Sequence, residues 1–127
     1  MNLQETIRKF KFKGPAIAIA APSEWEKEFI RLGFKTRLGG TPSANTVVFV
    51  KDKDSFLRFL RADLKQIEFD SVLWFAYPKG TSGVKTDVNR DIIREIGEEF
   101  RITTVAAISI DDTWSALRFR PIDKVGT

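Results

Sequence analysis

Two rhythms of apolar residues alternate along this chain. Short runs free of charge, Ala16 to Ala21, Thr46 to Val50, Val72 to Tyr77 and Ile102 to Ile110, have the length and composition of buried strands. Between them apolar residues recur every three or four positions, as on one face of a helix. Trp25, Phe29 and Leu32 form one such stripe. Phe56, Leu57, Leu60, Leu64 and Ile67 form a second, and Ile92, Ile93, Ile96 and Phe100 a third. A shorter stripe, Leu3, Ile7 and Phe10, opens the chain, with Asn2 as its cap and Gly14-Pro15 as its stop. Ser23, with Glu26 three positions on, predicts a capping box for the second helix. Asp52 or Asp54 is expected to cap the third helix, and Asp87 the fourth. Phe34 to Leu38 reads as a weaker outer strand. Trp114 to Arg120 reads as a last strand, ended by Pro121.

Strands alternating with helices from residue 16 to residue 110 imply βαβ crossovers and a sheet covered on both faces. Ile110 and Trp114 lie too close for a parallel crossover, so the last strand should turn back as an antiparallel hairpin. The expectation is one α/β domain over 1–127, with 1–13 as a basic lead-in. Its architecture would be a three-layer α/β/α sandwich, Rossmann-like, with a mostly parallel sheet and a C-terminal antiparallel hairpin strand.

Composition narrows the chemistry. The chain has no Cys and no His, which excludes a thiol nucleophile, a disulfide frame, a Cys/His zinc site and a Ser-His-Asp triad within it. Acid–base work would fall to Asp, Glu, Lys or Tyr. The formal net charge is +4. Most of it sits in the lead-in, where Arg8, Lys9, Lys11 and Lys13 face Glu5 alone, and the remainder is close to neutral. No apolar run approaches the ~20 residues of a membrane helix. Ala16 to Ala21 is better explained as a buried strand than as a signal segment, so a cytoplasmic protein is expected.

Ligands of open α/β sheets bind outside the carboxyl ends of the strands. Three loops fall there: Ala21-Pro22-Ser23, the segment from Lys79 to Asp87, and Asp111-Asp112-Thr113. The middle loop carries the most chemistry. Gly80 and Gly83 permit tight turns, Lys79 and Lys85 bring positive charge, Ser82 and Thr86 bring hydroxyls, and a helix start follows. The spacing is not that of a phosphate-binding P-loop, and Asp87 opposes an anion. A plain Gly/Ser connection is the competing account. Asp111 and Asp112 could hold a proton or a divalent cation, but turn chemistry accounts for them more simply. Ser115 lacks a base, and Trp25, Trp74 and Trp114 suit core packing better than base stacking.

The run Tyr77-Pro78-Lys79, then Ser82-Gly83 and Asp87, followed by Ile110-Asp111-Asp112-Thr113-Trp114-Ser115-Ala116-Leu117-Arg118, resembles a bacterial family of short proteins, "domain of unknown function 3052". Ala21-Pro22 fits the end of that family's first strand. The likeness is sharpest from Val72 to Arg118, and Asp-x-x-Trp-Ser is its most specific part. It implies a pared-down methyltransferase-like Rossmann sheet whose final hairpin places an antiparallel strand between two others. It implies no activity. Methyltransferases of that layout bind S-adenosylmethionine at a glycine-rich turn after the first strand. In this chain that turn is Ala21-Pro22-Ser23-Glu24, and Arg37-Leu38-Gly39-Gly40 lacks the acidic residue that would meet the ribose.

The resulting expectation is a non-catalytic module that binds a protein partner or a small anionic ligand at the strand carboxyl ends. Lys79 and Lys85 would attract the anion and Gly80, Ser82 and Gly83 would cradle it. Trp114 would wall the site, and Asp87 and Asp111 would orient the loops. The alternative is a divergent S-adenosylmethionine-dependent transferase using Tyr77, Lys79 or Asp111 in proton transfer. A third reading is nucleic-acid binding through the basic lead-in. A homodimer could form at the Phe34 to Leu38 edge or at the C-terminal hairpin. No cofactor or metal is assigned.

Overall fold

A computed structural model describes residues 3–126. The elements are α1 (Leu3–Phe10), β1 (Ile17–Ile19), α2 (Ser23–Arg31), β2 (Ser43–Phe49), α3 (Lys53–Ala62), β3 (Ile67–Pro78), α4 (Arg90–Glu99), β4 (Ile102–Ser109) and β5 (Trp114–Pro121). Single 3₁₀ turns occupy Leu64–Gln66 and Ile122–Lys124. The strands form one sheet in the order β1-β2-β3-β5-β4. β1 with β2 and β2 with β3 are parallel, whereas β3 with β5 and β5 with β4 are antiparallel. Four strands therefore share a direction, and β5 runs against them from a position between β3 and β4.

This mixed sheet overturns the expectation of a mostly parallel Rossmann-like sandwich, although helices cover both faces and the C-terminal hairpin strand is antiparallel as expected. The parallel half is small because its raw material is poor. Ala16 to Ala21 yields only the three residues of β1. Phe34 to Leu38 does not form a strand. Lys35, Thr36 and Arg37 are polar, and pairing is limited to a single bridge between Ile17 and Lys35. The antiparallel half is long, with β3 extending over twelve residues and the hairpin contributing eight from each strand. Antiparallel residue pairs accordingly outnumber parallel ones.

Strand alternation sorts the core into two clusters, as side chains on a pleated sheet must point to opposite faces. Leu73, Phe75 and Tyr77 of β3 join Phe56, Phe59 and Leu60 of α3, Ile93 of α4, and Leu117 and Phe119 of β5. Val72, Trp74 and Ala76 join Leu3 and Phe10 of α1 and Phe29 of α2. In the first cluster Phe75 meets Phe56, Phe59 and Phe119 edge-on, with centroids 4.8, 5.5 and 5.4 Å away. In the second, Trp74 Nε1 donates to the Phe10 carbonyl at 2.8 Å. Phe12 stacks beside Phe10, so the Lys-Phe alternation of the lead-in packs inward with its rings. Asn45 ties the same segment to β2 by accepting from the Lys13 amide at 2.8 Å.

Two caps differ from expectation, while Asp52 caps α3 as expected. The N-cap of α2 is Pro22, and Ser23 makes no capping bond, because the helix begins one residue early, at Ser23 itself. Asn89, not Asp87, caps α4 by accepting from the Ile92 amide, because Asp87 is drawn to the Lys53 amide instead. The capping box that does form lies at α3, between Asp52 and Ser55. The α3 stripe also stops at Ala62, so Leu64 falls in a 3₁₀ turn and Ile67 opens β3. Asn2, expected as the first cap, lies outside the described residues.

Candidate functional site

The carboxyl ends of β1, β2, β3 and β4 meet at one end of the sheet, together with the start of β5. Lys79, Gly80, Ser82, Gly83, Lys85, Asp87, Asp111 and Trp114 lie there, but they do not converge on one cradle. Lys79 continues β3, where its amide donates to the Thr113 carbonyl at 2.7 Å and its ammonium to Ser109 Oγ at 2.6 Å. Ser82 is occupied within its own turn. Its hydroxyl donates to the Lys79 carbonyl at 2.7 Å and accepts from the Val84 amide at 3.1 Å. Gly83 has φ +81°, a conformation that favours glycine, while Gly80 carries no such requirement. A Cβ at either would meet nothing within 4 Å, so neither marks a close backbone approach. Lys85 is exposed.

Thr86 and Asp87 act as staples. Thr86 Oγ1 donates to the Lys51 carbonyl at 2.7 Å, and the Lys53 amide donates to Asp87 Oδ1 at 2.7 Å. The β3–α4 loop is thereby fastened to the β2–α3 loop. Asp111 organises the hairpin turn by accepting from the amides of Thr113 and Trp114 at 2.8 and 2.7 Å. Trp114 packs edge-on against Phe49, 5.3 Å between centroids, on the α1–α2 face of the sheet. Asp112 is exposed. Among the described residues no three carboxylates gather to hold a metal ion.

Tyr77 and Ser115 are register partners across β3 and β5. Burial pushes the Tyr77 phenol above its ordinary value, against the pull of the Arg90 charge and of a hydrogen bond with Ser115. A phenol held in that direction stays protonated at neutral pH. It can donate a hydrogen bond but cannot serve as a base. Tyr77 therefore supplies no base for Ser115.

Sequence reasoning missed a cleft at this same end. Ile19, Val48, Val50 and Phe59 give it an apolar floor where β1 and β2 finish against α3. Ser55, Arg58, Arg61 and Asp63 bring its polar groups. Arg58 pairs with Asp54 at 2.9 Å in an exposed i,i+4 contact, worth little in water. Arg61 has no ion-pair partner among the described residues. Lys51 directly follows Val50 of the cleft, and the Thr86 staple brings the 79–89 loop to the same rim. Arg58 and Arg61 lie three apart on α3 and so share a face, which was the available signal. Ala20, at the end of β1, has φ +59° in a conformation that an alanine rarely adopts.

No helix among the described residues is long and apolar enough to cross a membrane. Compared with known proteins, the chain matches no family model, no curated protein and no solved structure.

Proposed function

We propose that this chain is a non-catalytic binding module that takes a small anion with an apolar body at the carboxyl ends of β1 and β2. The observation that carries this reading is the cleft whose floor is Ile19, Val48, Val50 and Phe59 and whose polar groups include Arg58 and Arg61. An apolar floor rewards burial of a hydrocarbon or ring, and guanidinium groups pair a carboxylate or phosphate in two-pronged fashion. Lys51 and Lys85 lie on exposed loops fastened together at that rim and add long-range attraction. Asp63 at the cleft accepts from the Gln66 side-chain amide, and the nearby carboxylates of Asp52 and Asp87 are engaged by backbone amides, which blunts their repulsion of an anion. The S-adenosylmethionine reading leaned on a mostly parallel Rossmann-type sheet, and the sheet of this chain is mixed. The resemblance to "domain of unknown function 3052" adds no activity to this reading.

The test is calorimetry with hexanoate, hexanol, inorganic phosphate, adenosine monophosphate and S-adenosylmethionine. Hexanoate should bind more tightly than hexanol, and Arg58→Glu/Arg61→Glu should abolish that preference. Equal affinity for hexanoate and hexanol, or a preference that survives the double reversal, contradicts the proposal.

A further inference from the structure

The amino end of the sheet holds a second cleft, and we infer that it binds an uncharged aromatic ring bearing one hydroxyl, a phenol-type ligand. The cleft arises where β3 falls out of step with β2. Ser43 pairs with Ile67, but Asn45 pairs with Val72, so residues 68–71 bulge away from their neighbour. Asp70 within the bulge has φ +55°, and Arg101, facing it from the turn before β4, has φ +69°. Two non-glycine residues in the left-handed region at one cleft are unusual, and such strain gathers at binding sites.

The cavity measures about 190 Å³ and its lining is mainly apolar. That exceeds the ~150 Å³ at which an apolar protein cavity takes up benzene. Leu73, Ile102 and Phe119 contribute buried apolar surface, with Phe100 and Phe69 as further ring walls. Phe69 is 66% exposed, more than any other large apolar side chain among the described residues, and a bound ring would give it a partner.

The polar requirement comes from Ser71. Ser71 lines the cleft, and its Oγ is fully buried with no hydrogen-bond partner among the described residues. Buried hydroxyls are seldom left unpaired, and a ligand hydroxyl can donate to or accept from it. The charges at the mouth argue against an ionic ligand. Arg120 holds Asp70 in a two-pronged pair at 2.9 and 3.1 Å, and Arg101 faces Asp123 at 3.4 Å. Arg120 thus already has its carboxylate, and Glu68 in the lining adds a negative charge that opposes an anion. This site shares no lining residue with the β1–β2 cleft, so it stands whether or not that proposal holds.

Phenol and toluene differ in shape only by hydroxyl against methyl, and a titration of each into ¹⁵N-labelled protein, followed by amide shifts, tests the inference. Phenol should saturate, moving amides of residues 67–73 and 100–102. Toluene should move the same amides with about tenfold weaker affinity, the loss of one neutral hydrogen bond. Ser71→Ala should bring the two affinities together. No saturable shift with phenol, shifts centred elsewhere, equal affinities in the native chain, or a phenol preference that survives Ser71→Ala would each overturn the proposal. The native-chain comparison decides the matter even if the variant does not fold.

Discussion

The two ends of the sheet solve opposite problems. At the carboxyl end, loops rich in Gly, Ser, Thr, Asp and Lys spend their polar groups on one another. Ser82, Thr86, Asp87 and Asp111 all serve the backbone of their own or a neighbouring loop. At the amino end, where the sequence shows no motif, the register slips, two residues take left-handed backbone and a hydroxyl is left unpaired. Loop chemistry that looks like a site can be scaffolding, and an irregularity in a strand can open a cavity. Binding capacity follows from what remains unsatisfied after folding.

Four expectations would break or sharpen this comparison. The largest effect belongs to the amino end. Phe119 is buried between Phe56 and Phe75 and also lines the cleft there. Phe119→Ala should cost about 3–5 kcal/mol in urea unfolding, and a loss under ~2 kcal/mol would mean the core is not organised around it. Next is Gly97→Ala in α4. A Cβ there would lie 2.6 Å from Phe119 Cε2 and 3.3 Å from the Ile102 carbonyl oxygen. Overpacking should outweigh the better helix propensity, for a net loss of about 1–3 kcal/mol, and a gain in stability would show that α4 rides further from the sheet.

The carboxyl end should respond more weakly and through its scaffolding. Asp111→Ala removes the acceptor of two turn amides and should cost about 1–2 kcal/mol, with Asp111→Asn recovering part of it. Lys85→Ala should stay within ~0.5 kcal/mol of the native chain, since that side chain is exposed. If Lys85→Ala were the more damaging of the two, the loop would be built differently from this description.

Acid adds a further contrast at the amino end. The hydrogen bond from Arg120 holds the Asp70 carboxyl below the usual carboxylate range, outweighing the small opposing effect of burial. A lowered carboxylate stabilises the fold above its unfolded value, and that stability fades as pH falls through the lowered one. Asp70→Asn should therefore narrow the gap between neutral and acid stability, without changing stability at the acid extreme. The pair is partly exposed, so the effect should be modest and reduced by salt.

The sequence carried much of the fold but less of its pairing. Periodicity located Phe56 and Leu60 on α3 and Ile93 on α4, since a buried stripe repeats at a helical interval whatever it packs against. The three-residue gap between Ile110 and Trp114 foretold the β4–β5 turn. Strand pairing was less legible, because alternation along Phe34 to Leu38 reports exposure on two faces and says nothing about whether a neighbour is present. Cap choice failed at Ser23 and Asp87 for a related reason. Both have side chains that could cap, and the chain set the helix starts elsewhere. At the amino-end cleft, the only trace was Phe69 standing between Glu68 and Asp70, just before the most apolar run. No pattern rule connects those residues to Arg101 and Phe119, which only the sheet brings beside them.

The most direct test of two unlike ends is one labelled sample titrated with hexanoate and then, separately, with phenol. Amides of residues 48–62 should respond to hexanoate, and those of 67–73 and 100–102 to phenol, with no overlap between the sets. Both probes moving one common set, or neither moving any amide in a saturable way, would contradict the account.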